Sequence, residues 1–209
     1  MEINIAHYNF RTKQIKKRNR MNIKNIFLLL LTSSLYAQEM SNNMNNLLQK
    51  EPNIVNIGLS EKDRKQVNNQ LNVLLANEYV LYTKTLKYHW NVEGPFFGSL
   101  HALFREQYEQ LLTIVDHVAE RIRSLGFMPF GTLQELAANA SLKEQPGSNP
   151  KDMEMIRNLL NDHETIIKQI RKDIDLTAKI NDMGTNNFLC DLIEKHEKTA
   201  WMLRAHLGK

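Results

Sequence analysis

Two histidines and two carboxylates between residues 89 and 120 have the types and the spacing to hold a cation. His89 lies in Lys87-Tyr88-His89-Trp90-Asn91-Val92-Glu93-Gly94, His101 in Leu100-His101-Ala102-Leu103-Phe104, and Asp116 and Glu120 in Val115-Asp116-His117-Val118-Ala119-Glu120-Arg121. Residues four apart on a helix point the same way, so Asp116 and Glu120 can ligate one ion together. Counted along a helix, His101 is turned from Asp116 by about 60° and from Glu120 by about 100°, so the three share a broad face. Fifteen residues of helix nevertheless measure about 22 Å, and His101 cannot reach the metal held by Asp116 of its own chain. A single site made from these residues therefore needs two copies running antiparallel across a two-fold axis. One copy supplies His89 and His101, the other Asp116 and Glu120.

The elements that must position them are helical. Eight Gly and five Pro in 209 residues are few for a turn-dense β architecture. From Ser60 onward the apolar residues keep to a helical period. Ser60 with Asp63 begins a first helix, with Val67, Leu71, Leu74, Leu75, Leu81 and Leu86 on one stripe, ending near Trp90-Asn91 before Gly94-Pro95. A second helix is predicted from Phe97 to Leu125, stopping at Gly126. A long connection comes next, with a short helical piece, Thr132 to Ala140. A third helix starts with Pro150 in its first turn and carries Ile156, Leu159, Leu160, Ile167, Ile170 and Ile174; a fourth runs from Thr185 to His206. Four long amphipathic helices with one long crossing describe an all-α, ferritin-like four-helix bundle, with a short extra helix between helices 2 and 3.

Composition bounds the rest. One cysteine, Cys190, excludes an internal disulfide framework and a Cys-based zinc or iron–sulfur site within one chain; flanked by Phe188 and Leu192, it is expected to be buried. The formal charge of +4 is unevenly placed: residues 1–37 hold seven bases and one acid, a net of +6, and the remainder is net −2. In that first segment a basic run precedes Ile26 to Leu31 and then Thr32 to Ala37, the layout of a secretory signal peptide, with Met21 an alternative start. It is too short to span a bilayer. The expectation is export to the periplasm or cell envelope; the alternative is a retained basic arm in a protein of the cytoplasm or nucleoid. Residues 38–58, rich in Asn and Gln, read as a linker, and 59–208 as the folded domain.

The segments HWNVEGPFF, LHALF, DHVAERI and HEKTAWMLRAHL closely resemble the Dps proteins, the starvation-induced miniferritins, over about residues 57 to 208. That resemblance implies a hollow homo-oligomer, a dodecamer, whose ferroxidase sites lie at two-fold interfaces. Iron(II) is oxidised there, preferentially by hydrogen peroxide, and stored as a ferric mineral. It implies His89 and His101 as ligands from one subunit, Asp116 and Glu120 as ligands from its partner, and Trp90 as an electron donor beside the centre. A mixed imidazole and carboxylate shell suits iron, although zinc also binds such a set. No Glu-x-x-His occurs, so the intrachain di-iron centre of larger ferritins is not available.

Two departures stand out. Four residues after His101, where the family usually has Asp or Glu, stands Arg105, and Glu106 is a further 100° or so round the helix. A guanidinium there repels Fe²⁺ unless a carboxylate pairs with it, so one firm metal and a weaker second are expected per site. At the start of the last helix Thr185-Asn186-Asn187 replaces the family's pore acids, leaving Asp182 and Asp191 as pore candidates. Plainer readings compete. Asp116 is a solvated charge, Glu120 pairs with Arg121 or Arg123 of a neighbour, and Trp90 simply packs. His7, His117, His163, His196 and His206 are read as surface or hydrogen-bonded histidines, and the methionines as core filler and tail. The functional alternative is a DNA-binding, DNA-compacting protein that grips phosphates through residues 11–24; a third reading is an inert helical scaffold.

Overall fold

The computed structural model describes residues 38–40 and 55–208. Residues 38–40 form a helical turn by themselves. The basic segment 1–37 and most of the 38–58 linker lie outside the described residues.

The rest forms five helices: α1 (Glu61–Asn91), α2 (Phe97–Ser124), the short α3 (Leu133–Asn139), α4 (Asp152–Lys179) and α5 (Met183–His206). Helix α1 packs along α2 and α4 along α5, while α1 also meets α4 and α2 meets α5. The hydrogen bonds Asn77–Gln169, Lys84–Asp162 and Asn158–Tyr88 run in opposite order on α1 and α4, so these helices are antiparallel. The crossover through α3 is what lets α4 run parallel to α2, as in the ferritin-like bundle. Among the described residues there is no strand, and no helix is long and apolar enough to cross a membrane.

Local chemistry explains the boundaries. The Ser60 hydroxyl accepts from the Asp63 N–H at 3.1 Å and starts α1 as expected. At the end of α2, Gly126 sits at φ +91°; its N–H bonds to the Arg123 carbonyl and the Phe127 N–H to that of Ile122, the Schellman pattern. A Cβ on Gly126 would come within 2.7 Å of Val55 Cγ2. Thr132 and Glu135 close a reciprocal capping box on α3.

Two boundaries differ from expectation. Pro150 lies outside α4, because Lys151 is the cap residue and the helix begins at Asp152. Helix α5 begins at Met183, with Gly184 inside its first turn. Asp182 is the cause: its carboxylate accepts the Thr185 N–H and the Arg121 guanidinium, both at 3.0 Å, and Gly184 leaves room for that guanidinium. Asp182 is thus 3% exposed and committed to an ion pair, which corrects its reading as a pore-lining acid; Asp191 is exposed. Cys190 is also a correction, being exposed on this chain rather than buried, because it lies one residue beyond buried Leu189 on the outward side of α5.

The core holds several polar groups. His196 joins Glu78 on α1, at 2.9 Å from Nε2 to Oε1, to His163 on α4, at 2.9 Å between the two Nδ1 atoms, and all three are buried. Burial, with His196 alongside, holds His163 well below the usual imidazole range. His117 and His206 are exposed, and His7 lies outside the described residues. Asp173 on α4 is 5% exposed, with one carboxylate oxygen unpartnered among the described residues. Burial pushes its carboxyl up to about 6, only partly offset by Gln169 and Lys172.

The fold therefore retains the Asp173 proton to a higher pH than the unfolded chain does. Stability is lost as pH rises from the ordinary carboxylate range to about 6, and the cost is complete above it. Asp173→Asn is expected to stabilise the protein at pH 7 by on the order of 1–3 kcal/mol, with the gain disappearing near pH 4. Denaturant unfolding at the two pH values measures it; an equal effect at both would contradict the assignment.

Candidate metal centre

The carbonyls of the last helical turn have no intrahelical partner. His89 belongs to that turn of α1, and His101 stands in the second turn of α2, across the short connection 92–96. Each ring is turned toward the other's backbone. His89 Nδ1 lies 2.8 Å from the His101 carbonyl oxygen, and His101 Nδ1 lies 2.9 Å from the His89 carbonyl oxygen. A carbonyl oxygen only accepts, so both Nδ1 atoms carry the proton and both rings, when neutral, keep their lone pair on Nε2. The imidazoles stack with centroids 3.8 Å apart and planes inclined by 23°. The result is a matched pair of Nε2 donors with fixed tautomer and orientation, the arrangement expected of metal-binding histidines.

Two aromatic rings brace this pair. Phe97 packs on His101 with centroids 5.1 Å apart, and Tyr108 meets His89 edge-on at 5.2 Å. Tyr108, seven residues after His101 and so on the same face of α2, was within reach of the helical period but carried no motif. Trp90, next to His89 in the chain, is 68% exposed, and Phe96 and Phe97 are about half exposed, so this end of the α1–α2 pair carries three large exposed apolar side chains. Trp90 is therefore not core packing within this chain.

Asp116 and Glu120 are both exposed on α2, one turn apart. Among the described residues neither makes a hydrogen bond or ion pair. The arginines beside Glu120 are engaged elsewhere: Arg121 with Asp182 and Thr185, and Arg123 with the Phe127 carbonyl. One chain thus brings His89 and His101 together and leaves Asp116 and Glu120 far along the same rod. Among its described residues no three His, Cys, Asp or Glu side chains converge on a metal position. Arg105 is exposed and without an ion-pair partner among the described residues, one turn from His101.

Comparison with known proteins agrees with this architecture. Residues 68–209 match the ferritin-like domain. The chain is 45% identical over 154 residues to a low temperature-induced protein of Nostoc, covering 73% of this chain and 86% of that protein. It is 34% identical over 145 residues to DNA protection during starvation protein 2 of Bacillus anthracis, covering 69% and 99%. The crystal structure of a Dps protein from Vibrio cholerae superposes with a TM-score of 0.72 at 33% identity, covering 76% of this chain and 99% of that one. A Dps protein from Bacillus brevis gives 0.68 at 34%, covering 71% and 99%. The fold and the four-helix order define a ferritin-like protein. Within that class, the chain belongs to the Dps family of iron-binding miniferritins.

Replacing either histidine by alanine removes one Nε2 donor and the ring N–H that covers the other's carbonyl. Zn²⁺ affinity of the purified protein, read by calorimetry, is expected to fall by more than about 10–100-fold. Unchanged affinity in His89→Ala and His101→Ala would show that the pair is not a metal site.

Proposed function

We propose that this protein is a ferroxidase and iron-storage shell. Fe(II) is its substrate, oxidised preferably by hydrogen peroxide at sites shared between two subunits of a homododecamer, and the ferric product is retained as mineral within. The observation that carries the reading is the reciprocal His89–His101 lock, which leaves both Nε2 atoms free for an ion that the same chain cannot finish coordinating. Asp116 and Glu120 of a second copy complete it, and the apolar rim of Trp90, Phe96 and Phe97 is the kind of surface a second copy covers. Relatives support it: the Vibrio cholerae protein is described as a member of the ferritin-like diiron-carboxylate superfamily.

In this reading the histidines hold the ion in an orientation that needs no rearrangement, and the two carboxylates neutralise the charge that rises when iron loses an electron. Trp90, at the rim beside His89, is placed to donate an electron to stray oxidants. Arg105 stands where an acid would favour a second cation, so iron binds firmly at one position and weakly at the next, giving a di-iron centre with unequal halves. Titration of metal-free protein with Fe²⁺ is expected to give one tight iron per site, and Arg105→Asp to tighten the second by about tenfold or more. Two equally tight irons in the unaltered protein would contradict this.

The unequal charge supports a second reading, DNA binding through the basic arm, provided the arm is retained. Residues 1–37 carry the whole positive excess, and the remaining subunit at −2 gives little reason to hold DNA. We propose that the segment directs export to the periplasm or envelope and that the mature chain begins at Gln38. N-terminal sequencing of the native protein with cell fractionation tests both proposals. A chain starting at Met1 or Met21 and a gel shift that weakens steeply with salt would favour the DNA role and a cytoplasmic or nucleoid protein.

A further inference from the structure

Hydrogen peroxide takes two electrons and Fe²⁺ gives one. A site that holds one iron firmly and the second weakly is one electron short at the moment the O–O bond breaks, unless a neighbouring group supplies it. Of the two rings packed on the histidine pair, Phe97 is not readily oxidised and Tyr108 is. Tyr108 is also the start of a series: its ring meets His89 at 5.2 Å, Tyr82 at 6.4 Å, and Tyr82 meets Tyr79 at 5.8 Å, each contact edge-on. Tyr79 and Tyr82, three apart on α1, are partly buried and packed against the hydrophobic core, and Tyr108 on α2 is partly buried between them and His89. Successive rings in edge contact form a path from the histidines back along the α1–α2 groove. Tyr88, fully buried and bonded by Asn158, lies apart from these contacts.

We infer that Tyr108 is the second electron donor of the peroxide reaction and that Tyr82 and Tyr79 share the resulting oxidising equivalent; this rests on the ferroxidase reading above. The balanced step is Fe²⁺ + H₂O₂ + Tyr108–OH → Fe³⁺ + H₂O + OH⁻ + Tyr108–O•. The O–O bond and the phenolic O–H bond break, iron and tyrosine each lose one electron, and the phenolic proton converts one of the two hydroxides to water. The hole then moves to Tyr82 and Tyr79. The next Fe²⁺ to arrive returns an electron with a proton, restoring tyrosine. One peroxide thus still consumes two irons, taken one after the other, and no hydroxyl radical escapes.

The test uses the full-length protein, loaded with one Fe²⁺ per site, mixed with H₂O₂ and frozen rapidly for EPR. A tyrosyl signal is expected, narrowed when the protein carries ring-deuterated tyrosine. Tyr108→Phe, which keeps the ring against His89, should lose that signal and raise hydroxyl-radical capture by a spin trap, with Zn²⁺ affinity unchanged. Tyr79→Phe should keep the signal, now confined to Tyr108 and Tyr82. The inference is overturned if the unaltered protein oxidises iron rapidly without a tyrosyl radical, if Tyr108→Phe retains it, or if the radical is a tryptophan's and disappears in Trp90→Phe. Failure to accelerate Fe²⁺ oxidation at all would instead sink the underlying ferroxidase reading.

Discussion

The arrangement turns on two hydrogen bonds that His89 and His101 exchange with each other's backbone carbonyls. Each removes an imidazole proton from competition and fixes which nitrogen faces outward. The bond to the His89 carbonyl also satisfies one of the acceptors that the end of α1 leaves open. The same contact closes the α1–α2 pair at its tip, where the chain turns within five residues and Gly94, at φ +108°, supplies a backbone conformation that other residues rarely adopt. Structure and chemistry are therefore served by one pair of side chains. The orientation of both rings is built into the hairpin, so little ordering would remain to be done were an ion to bind there.

Helix rigidity sets the other constraint. A straight helix holds Asp116 about 22 Å from His101 and Glu120 farther still, and no rotamer spans that distance. Two exposed acids with no partner among the described residues, and an apolar rim beside two histidines, are each ordinary alone. Set on opposite stretches of one rod, they are what the proposed antiparallel pairing of two copies would bring together. Arg105, exposed one turn from His101, adds a guanidinium that cannot give up its proton and has no lone pair to offer a metal. The tyrosines along the α1–α2 groove, Tyr108, Tyr82 and Tyr79, occupy the space adjoining the histidine pair.

The interior holds polar and charged side chains as well as the leucine and isoleucine core. Glu78, His163 and His196 come from three different helices. Asn77 holds α4 through Gln169, while its side-chain oxygen accepts the backbone N–H groups of Ser141 and Leu142. Asn72 does the same for Phe130. Leucine stripes pack in more than one register, whereas these directional contacts are satisfied in only one. They anchor the long crossover to α1, and the crossover decides that α4 runs parallel to α2. Satisfaction is incomplete elsewhere: Asp173, like Gln107, keeps a buried side-chain oxygen without a hydrogen bond among the described residues, and Gln169 and Lys172 offset the burial of Asp173 only in part.

Much of this was legible in the chain itself. The helical period marked all four long helices, because each has one wet and one dry face. The spacing of His101 and Asp116 showed that one chain cannot bring them to a single ion, because helix rise is a constant. The starts of α4 and α5 were not legible: Asp182 reads as a surface acid until Arg121, sixty-one residues earlier, is seen to pair with it. The Glu78–His196–His163 contact had no sequence signal, since its members lie on separate helices and each looks ordinary in its own. Tyr108 stood at a readable spacing, yet only packing shows that it touches His89 and continues to Tyr82. Sequence thus determined the features that period and length impose along one helix. Tertiary structure decided every relation between helices, because those depend on which side chains meet across the groove, and no local pattern records that.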